Sequence, residues 1–361
     1  MSNSRRGLLA AGLAAAVVGA TGVVWTLNAN AAETPAAPAA QPVTETTAAD
    51  DAVPVPPALL PWGEEPHDIT RGSAGASSSA VAAAGADAAP ADTSGATEPV
   101  AEYGPKGRSS RNGTLTRDHT DIVPPTPPGT DKGGKKVTGD VYFNYAVGSQ
   151  TGDTDGTWAN LTIAKPELAQ GDYHSLTEVT VQTVDGRQIV ELGWTVDRSV
   201  NGDDDPHMFV YYWKDKVPTC YNACGYKQFS PNVKPGDTLP VGVQKRFGIQ
   251  HTDDKWWIAY DSEYIGYFPD SLWNGTYTRG GLSQWFGEVA SPSESSCTDM
   301  GNGEPASEGN AARVGSISMT NGPEPKATVR ASNSALYSID LRSDRTFRYG
   351  GQGSGDCTPP A

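Results

Sequence analysis

From residue 137 onward the chain is punctuated at short intervals by turn residues, and between them apolar side chains alternate with polar ones. Val179, Val181 and Thr183 make one face of a strand. Val190, Leu192, Trp194 and Val196 form an apolar stripe, with Ile189, Glu191, Gly193 and Thr195 on the opposite face. Residues 207–213 are β-rich on both faces, as a central strand should be, and residues 247–251, 256–260, 264–268, 282–289 and 314–319 continue the series. The breaks are Asp185-Gly186, Asn201-Gly202-Asp203, Thr252-Asp253-Asp254, Asn274-Gly275 and Gly280-Gly281. No long stretch repeats with the helical period. A period of two without helices between the strands predicts antiparallel sheets packed face to face, an all-β sandwich. Residues 137–361 are a sufficient length for one such domain.

The chain upstream is of another kind. Ser4-Arg5-Arg6-Gly7-Leu8-Leu9 opens it, an Ala/Gly/Val/Leu run follows to about Leu27, and Ala29-Asn30-Ala31 is a small-x-small site. That is the anatomy of a secretory signal over residues 1–31, and the paired arginines fit a bacterial twin-arginine or general export route. An uncleaved anchor is the alternative, but the run is weakly hydrophobic for a span. The expected mature protein is therefore secreted, without stable membrane insertion after processing. Residues 32–136 are an Ala/Pro-rich tract with almost no periodicity, ending in Pro124-Pro125-Thr126-Pro127-Pro128 and the basic Lys132, Lys135 and Lys136. Such a tract offers too little apolar surface to offset a chain entropy of about 1–2 kcal/mol per residue. It reads as a disordered linker or a pro-segment, within which only Leu59-Leu60-Pro61-Trp62 could dock on a folded surface.

The 27 Lys+Arg against 42 Asp+Glu, a net charge of −15, leave no basic stripe for nucleic acid. The 4 Cys fit two disulfides, and loop logic pairs Cys220 with Cys224 and Cys297 with Cys357. On the chain-entropy model these contribute about 2 and about 4 kcal/mol. A zinc site built on one C-x3-C is the weaker reading.

Catalytic options narrow by elimination. The 5 His are scattered, with no metal-binding pair, no nucleophile elbow and no phosphate loop nearby, so the sequence implies neither metal nor cofactor. Carboxylates remain. Glu191 interrupts the apolar strand Ile189-Val190-Glu191-Leu192-Gly193-Trp194. In residues 282–289, Leu282, Gln284, Phe286 and Glu288 share a face opposite Trp285 and Val289. Each of the two glutamates has a glycine within two residues, Gly193 and Gly287, where something can approach the backbone. By pattern alone a glutamate on the outer face of a half-buried strand is most often simply solvated.

The motifs resemble a known family. Val190-Glu191-Leu192-Gly193-Trp194-Thr195-Val196 is similar to the Glu/Gln-x-Gly-Trp strand of the neprosin domain. Tyr211-Tyr212-Trp213 and Cys220-Tyr221-Asn222-Ala223-Cys224-Gly225 follow in the family's order. Then come Trp256-Trp257-Ile258, Gly266-Tyr267-Phe268-Pro269, Trp285-Phe286-Gly287-Glu288-Val289 and Met300-Gly301-Asn302-Gly303. The resemblance implies a secreted glutamic endopeptidase, acid-active and cutting after proline, with a sandwich fold and no metal or cofactor. Its two catalytic glutamates fall by motif on Glu191 and Glu288, and its partner is a proline-containing peptide or protein. Phe286 stands where the family usually has Gly, which reshapes the groove beside Glu288, and Gln284 is a possible oxyanion donor. Trp256, Trp257, Tyr260, Tyr264, Tyr267 and Trp273 are expected mostly in the core, with some lining the groove. A non-catalytic module that stacks glycan or cell-wall polymer on aromatic rings is the alternative.

Overall fold

The structure is a computed structural model that describes residues 54–69, 77–78, 81, 142–219 and 221–354, with the backbone of 103–104 and 107–108. The expected signal at 1–31, most of 32–136, the first residues of 137–361, and Cys220 and Cys357 lie outside the described residues. In chain order the strands are β1 (Tyr103–Gly104), β2 (Gly107–Arg108), β3 (Tyr142–Thr154), β4 (Gly156–Thr162), β5 (His174–Gln182), β6 (Ile189–Val196), β7 (His207–Lys214) and β8 (Val217–Pro218). There follow β9 (Lys227–Gln228), β10 (Gln244–Thr252), β11 (Lys255–Tyr260), β12 (Glu263–Pro269), β13 (Gly280–Ser291), β14 (Arg313–Thr320), β15 (Thr328–Ala331), β16 (Ser338–Ser343) and β17 (Thr346–Gly350).

Seven strands pair in the order β15-β3-β13-β5-β6-β7-β8 and eight in the order β16-β17-β14-β4-β10-β11-β12-β9, every pairing antiparallel. This is the two-sheet, all-β architecture that the alternation predicts. The only described helical turns of a full element are α1 (Arg198–Asn201) and a 3-10 turn at Asp270–Trp273. No helix among the described residues is long and apolar enough to cross a membrane.

Period two decides what each face does. The expected stripe Val190, Leu192, Trp194 and Val196 is wholly buried between the sheets, with Val179, Val181, Trp285 and Val289 of the same sheet. Leu161, Phe247, Ile249, Trp256, Ile258 and Phe347 meet it from the eight-stranded sheet. Buried indoles carry their N–H to partners, as such groups must. Trp194 donates to Thr162 O across the sandwich at 3.0 Å, Trp285 to Thr157 Oγ1 at 3.1 Å, and Trp256 to Tyr277 O at 2.8 Å. Tyr349 and Thr177 join their hydroxyls at 2.6 Å between the sheets.

The strand faces turned away from this core differ from expectation, because they are buried as well. On the eight-stranded sheet Trp257, Ala259 and Tyr264 are covered by Leu60. Here the Leu59-Leu60-Pro61-Trp62 patch is seated. Gly248 has no side chain, and a Cβ there would stand 3.1 Å from both Pro61 and the Trp62 ring. Trp62 meets Trp158 edge-on at 5.8 Å, Arg246 lies over the Trp62 ring at 5.1 Å, and Arg246 pairs with Glu64 at 2.7 Å. Tyr264 donates to Leu59 O at 2.8 Å and Ile69 N to Glu263 Oε1 at 2.9 Å. Cys224 and Cys297 are both disulfide-bonded, and the partners that spacing assigns them lie outside the described residues.

Gly287 illustrates how tightly the sheets close. A Cβ at this position would lie 2.4 Å from the Tyr349 ring, on the core side. The glycine therefore admits Tyr349 and not a ligand, which corrects its expected role as an opening beside Glu288. Gly287→Ala is expected to cost about 1–3 kcal/mol through overpacking, measured by urea unfolding; an unchanged midpoint would contradict this packing.

Candidate active site

The register of the seven-stranded sheet lays out its outer face row by row. Residues paired directly across an antiparallel ladder share a face. Tyr145, Glu288, Leu176 and Thr195 form one row. Val147, Phe286, Glu178, Gly193 and Phe209 form the next. Ser149, Gln284, Thr180, Glu191 and Tyr211 form the third, and Thr151, Leu282, Gln182, Ile189 and Trp213 the fourth. Both glutamates singled out from sequence are thus on this face, and neither is solvated: Glu288 is 0% and Glu191 1% exposed.

They are not neighbours. β5 stands between their strands, and Glu288 lies four residues along from Gln284, the residue in the Glu191 row. At about 4.8 Å per strand and 3.3 Å per residue, their backbones are separated by about 10 Å across the sheet and 13 Å along it. The gap is filled by a third carboxylate that sequence reading passed over. Glu178, 0% exposed, sits on β5 diagonally beside Glu288 on one side and Glu191 on the other. Diagonal neighbours are about 7–8 Å apart, within reach of long side chains.

Local sequence makes room for this residue. Gly193 faces Glu178 directly, and a Cβ on it would come within 2.7 Å of the Glu178 Cβ. What approaches the backbone at Gly193 is therefore Glu178 itself. Phe286 faces Glu178 from the other strand, fully buried and edge-on to Tyr145 at 5.7 Å. It thereby replaces open groove with a low-dielectric wall beside the carboxyl.

Each carboxylate has a distinct environment. Glu288 Oε1 is 2.7 Å from His174 Nε2, a pair whose side chains are 7% and 0% exposed for His and Glu. The Tyr145 hydroxyl hydrogen-bonds Glu288, and burial together with Glu288, Glu178 and Glu191 pushes the Tyr145 phenol well above its ordinary value. Tyr145 accordingly stays neutral and donates. Glu191 Oε1 accepts from the Trp213 indole at 2.8 Å, next to a wall of Phe209, Tyr211 and Tyr221 rings with centroids 5.4 Å apart. Gln284 accepts from Gln182 Nε2 at 2.5 Å through its Oε1, which leaves Nε2 as its donating end.

The rings buried together on the carboxylate face include Tyr145, Phe209, Tyr211, Trp213, Tyr221 and Phe286. Of the rings expected as possible groove lining, Trp256, Tyr260 and Trp273 belong to the central core, and Trp257, Tyr264 and Tyr267 to the Leu60 cluster on the other sheet. No cluster of His, Cys, Asp and Glu suited to a metal ion occurs among the described residues.

Asp197 closes the same end of the face. It caps α1, its Oδ1 accepting from Ser199 N at 2.8 Å and Val200 N at 3.1 Å. Burial raises its carboxyl above the ordinary value of 3.8, against the opposing pull of His174 and the two cap bonds. A raised carboxyl favours the folded state when protonated, so this contribution is full below pH 3.8 and is lost as pH rises through the folded value. Asp197→Asn keeps a capping oxygen without the titration. Its stability relative to wild type, from urea unfolding, is expected to rise from pH 3.5 to 7; a pH-independent difference would contradict the buried placement.

A family model described as Neprosin matches residues 171–352, a span that includes Glu178, Glu191 and Glu288. Among solved structures, scytalido-glutamic peptidase with a transition-state analogue inhibitor is similar at 12% identity, over 59% of this chain and 99% of that one, with a TM-score of 0.35. SCP-B, a member of the eqolisin family of peptidases, is similar at 11% identity over 59% and 99%, with a TM-score of 0.32. A carbohydrate-binding module from Bacillus subtilis is similar at 11% identity over 43% and 80%, with a TM-score of 0.25.

Proposed function

The chain belongs to the neprosin family, and on that premise we propose that it is a secreted glutamic endopeptidase whose acid and base are Glu178 and Glu288. The observation that supports this reading best is the diagonal placement of those two fully buried carboxyls on adjacent strands. Like charges so close in a dry site cannot both ionise readily, so over an acid range one keeps its proton while the other loses it. The ionised member takes a proton from water as the water oxygen attacks the scissile carbonyl. The protonated member gives its proton to the leaving nitrogen as the C–N bond breaks. One peptide and one water become a carboxylic acid and an amine, and the pair exchanges protons with solvent to reset. Gln284 Nε2, diagonal to Glu178, is the donor assigned to the developing oxyanion, while the Tyr145 hydroxyl stays with Glu288.

Glu191, which the resemblance makes catalytic, is here a third carboxylate anchored by Trp213 and more distant from Glu288. We assign it to the substrate side, beside rings flat enough to stack on a proline. Proline preference, acid activity and export by the segment at 1–31 belong to the same proposal. The glycan-binding alternative has less to stand on, since Phe229 is the only exposed aromatic among the described residues.

The test uses the full chain and, beside it, protein processed within 32–136, the tract that reads as a linker or pro-segment. With a proline-containing peptide from about pH 2.5 to 7, wild type is expected to cleave. Glu178→Gln and Glu288→Gln are each expected to lose at least about 10³-fold in kcat/KM, whereas Glu191→Gln loses about 10-fold, chiefly in KM. Cleavage that survives both of the first two substitutions, or is missing from wild type at every pH, would refute the reading.

A further inference from the structure

The register brings one more residue onto the carboxylate face, at its edge. β15 pairs with β3 so that Arg330 stands directly opposite Val147 and Thr328 opposite Ser149. Arg330 therefore extends the row of Val147, Phe286 and Glu178. It is the one arginine or lysine that strand pairing places on this face among the described residues. Its chain neighbour Val329 turns the other way and packs on the central core. All four residues of β15 are partly exposed, whereas Phe286 and Glu178 in the same row are fully buried. The face thus reaches solvent at this edge.

The other arginines of the domain have visible employment. Arg187, Arg198, Arg246, Arg279 and Arg342 each pair with a carboxylate, and Arg345 and Arg348 donate to backbone carbonyls. Arg330 makes no ion pair or hydrogen bond with a described residue, and its Nε is buried without an acceptor. Partial burial pulls its pKa below the ordinary arginine value, as expected of a cation held without a counter-charge. Holding a polar group in that state costs free energy until a partner arrives. Glu288, the nearest carboxylate in register, is two strands and two residues away, about 10 Å across the sheet and 7 Å along it.

We propose that Arg330 is a substrate-binding residue that takes a carboxylate carried by the peptide about two to four residues beyond the scissile bond, either an acidic side chain or the C-terminal carboxylate. The proposal rests on the peptidase reading above and adds a determinant of specificity. In that reading the proline lies toward β6 and β7, beside Glu191 and the Tyr211 ring. The chain on the leaving-nitrogen side then runs over β13 and β3 toward β15. β15 is two strand spacings from β13 and three from β5, about 10 Å from the strand of Glu288 and about 14 Å from that of Glu178. An extended peptide advances about 3.3 Å per residue, so three or four residues cover that distance, and fewer when side chains reach toward each other. A guanidinium is a planar fork that grips a carboxylate through two parallel N–H···O bonds. Aspartate, glutamate and a chain terminus all offer that acceptor, and a neutral side chain does not. On a chain of net charge −15, this arginine gives one edge of the face the sign that attracts an anionic group.

The experiment measures kcat/KM at about pH 5.5, where peptide carboxylates are ionised, on the same two forms of the protein. The reference peptide has one proline, glutamines after the cut and an amidated end. A second form carries glutamate at the second, third or fourth position after the cut, and a third form ends at one of those positions in a free carboxylate. The ratio to the reference within one variant cancels any general loss of activity. Wild type is expected to favour at least one carboxylate form by about 10-fold or more, chiefly through KM. The form that gains tells whether a side chain or the terminus is the ligand. Arg330→Gln is expected to bring the ratio near unity, and Arg330→Glu to invert it. A wild-type ratio near unity at every position and in both forms overturns the proposal whatever the variants do, as does a preference that Arg330→Gln leaves unchanged. Should wild type cleave none of the peptides, the peptidase reading falls. Equilibrium binding of the same peptides, followed by fluorescence anisotropy, then decides the role of Arg330 by the same ratios.

Discussion

Burial of carboxylates on one face of the seven-stranded sheet is the constraint on which the rest of the structure turns. Removing an ionised carboxylate from water costs several kcal/mol unless it is paired or hydrogen-bonded. This sheet carries three of them within two strand spacings, at 0–1% exposure. His174 and Tyr145 partner Glu288, Trp213 partners Glu191, and the missing side chain at Gly193 leaves the room in which Glu178 sits. A face built this way exists only where the sheet beneath it is rigid. The core provides rigidity through interdigitated Trp194, Trp285 and Tyr349, whose polar atoms are all matched across the sandwich.

Much of the fold could be read from the chain because period two is a local property. The stripe from Val190 to Val196 and the face holding Phe286 and Glu288 fall where alternation puts them. β3, β4 and the last three strands are less legible, since several of their residues are small or polar and their partners are distant in sequence. Alternation assigns a side chain to a face but does not say which sheet, or what covers it. For that reason Trp257, Tyr264 and Tyr267 could be expected near the groove, although they lie across the molecule under Leu60.

The site was legible in part for the same reason. Glu191 and Glu288 attract notice because each interrupts an apolar run beside a glycine. Glu178 does not: in His174-Ser175-Leu176-Thr177-Glu178-Val179 it reads as an ordinary outward polar residue. Only the register, which sets Phe286 and Gly193 on either side of it, reveals that it lies between the other two. His174 was one of five scattered histidines until the same register brought it to Glu288. Long-range pairing carries this information, and a single sequence does not contain it in local form.

Central to the account is that Glu178 and Glu288 act as one unit. A double-mutant cycle tests that most directly, with kcat/KM measured at the optimum for wild type, Glu178→Gln, Glu288→Gln and the double variant. If the two carboxyls share one proton-transfer step, the double variant should be no more than a few-fold worse than the poorer single variant. Losses that simply multiply would show that the carboxyls act independently, and would contradict the account.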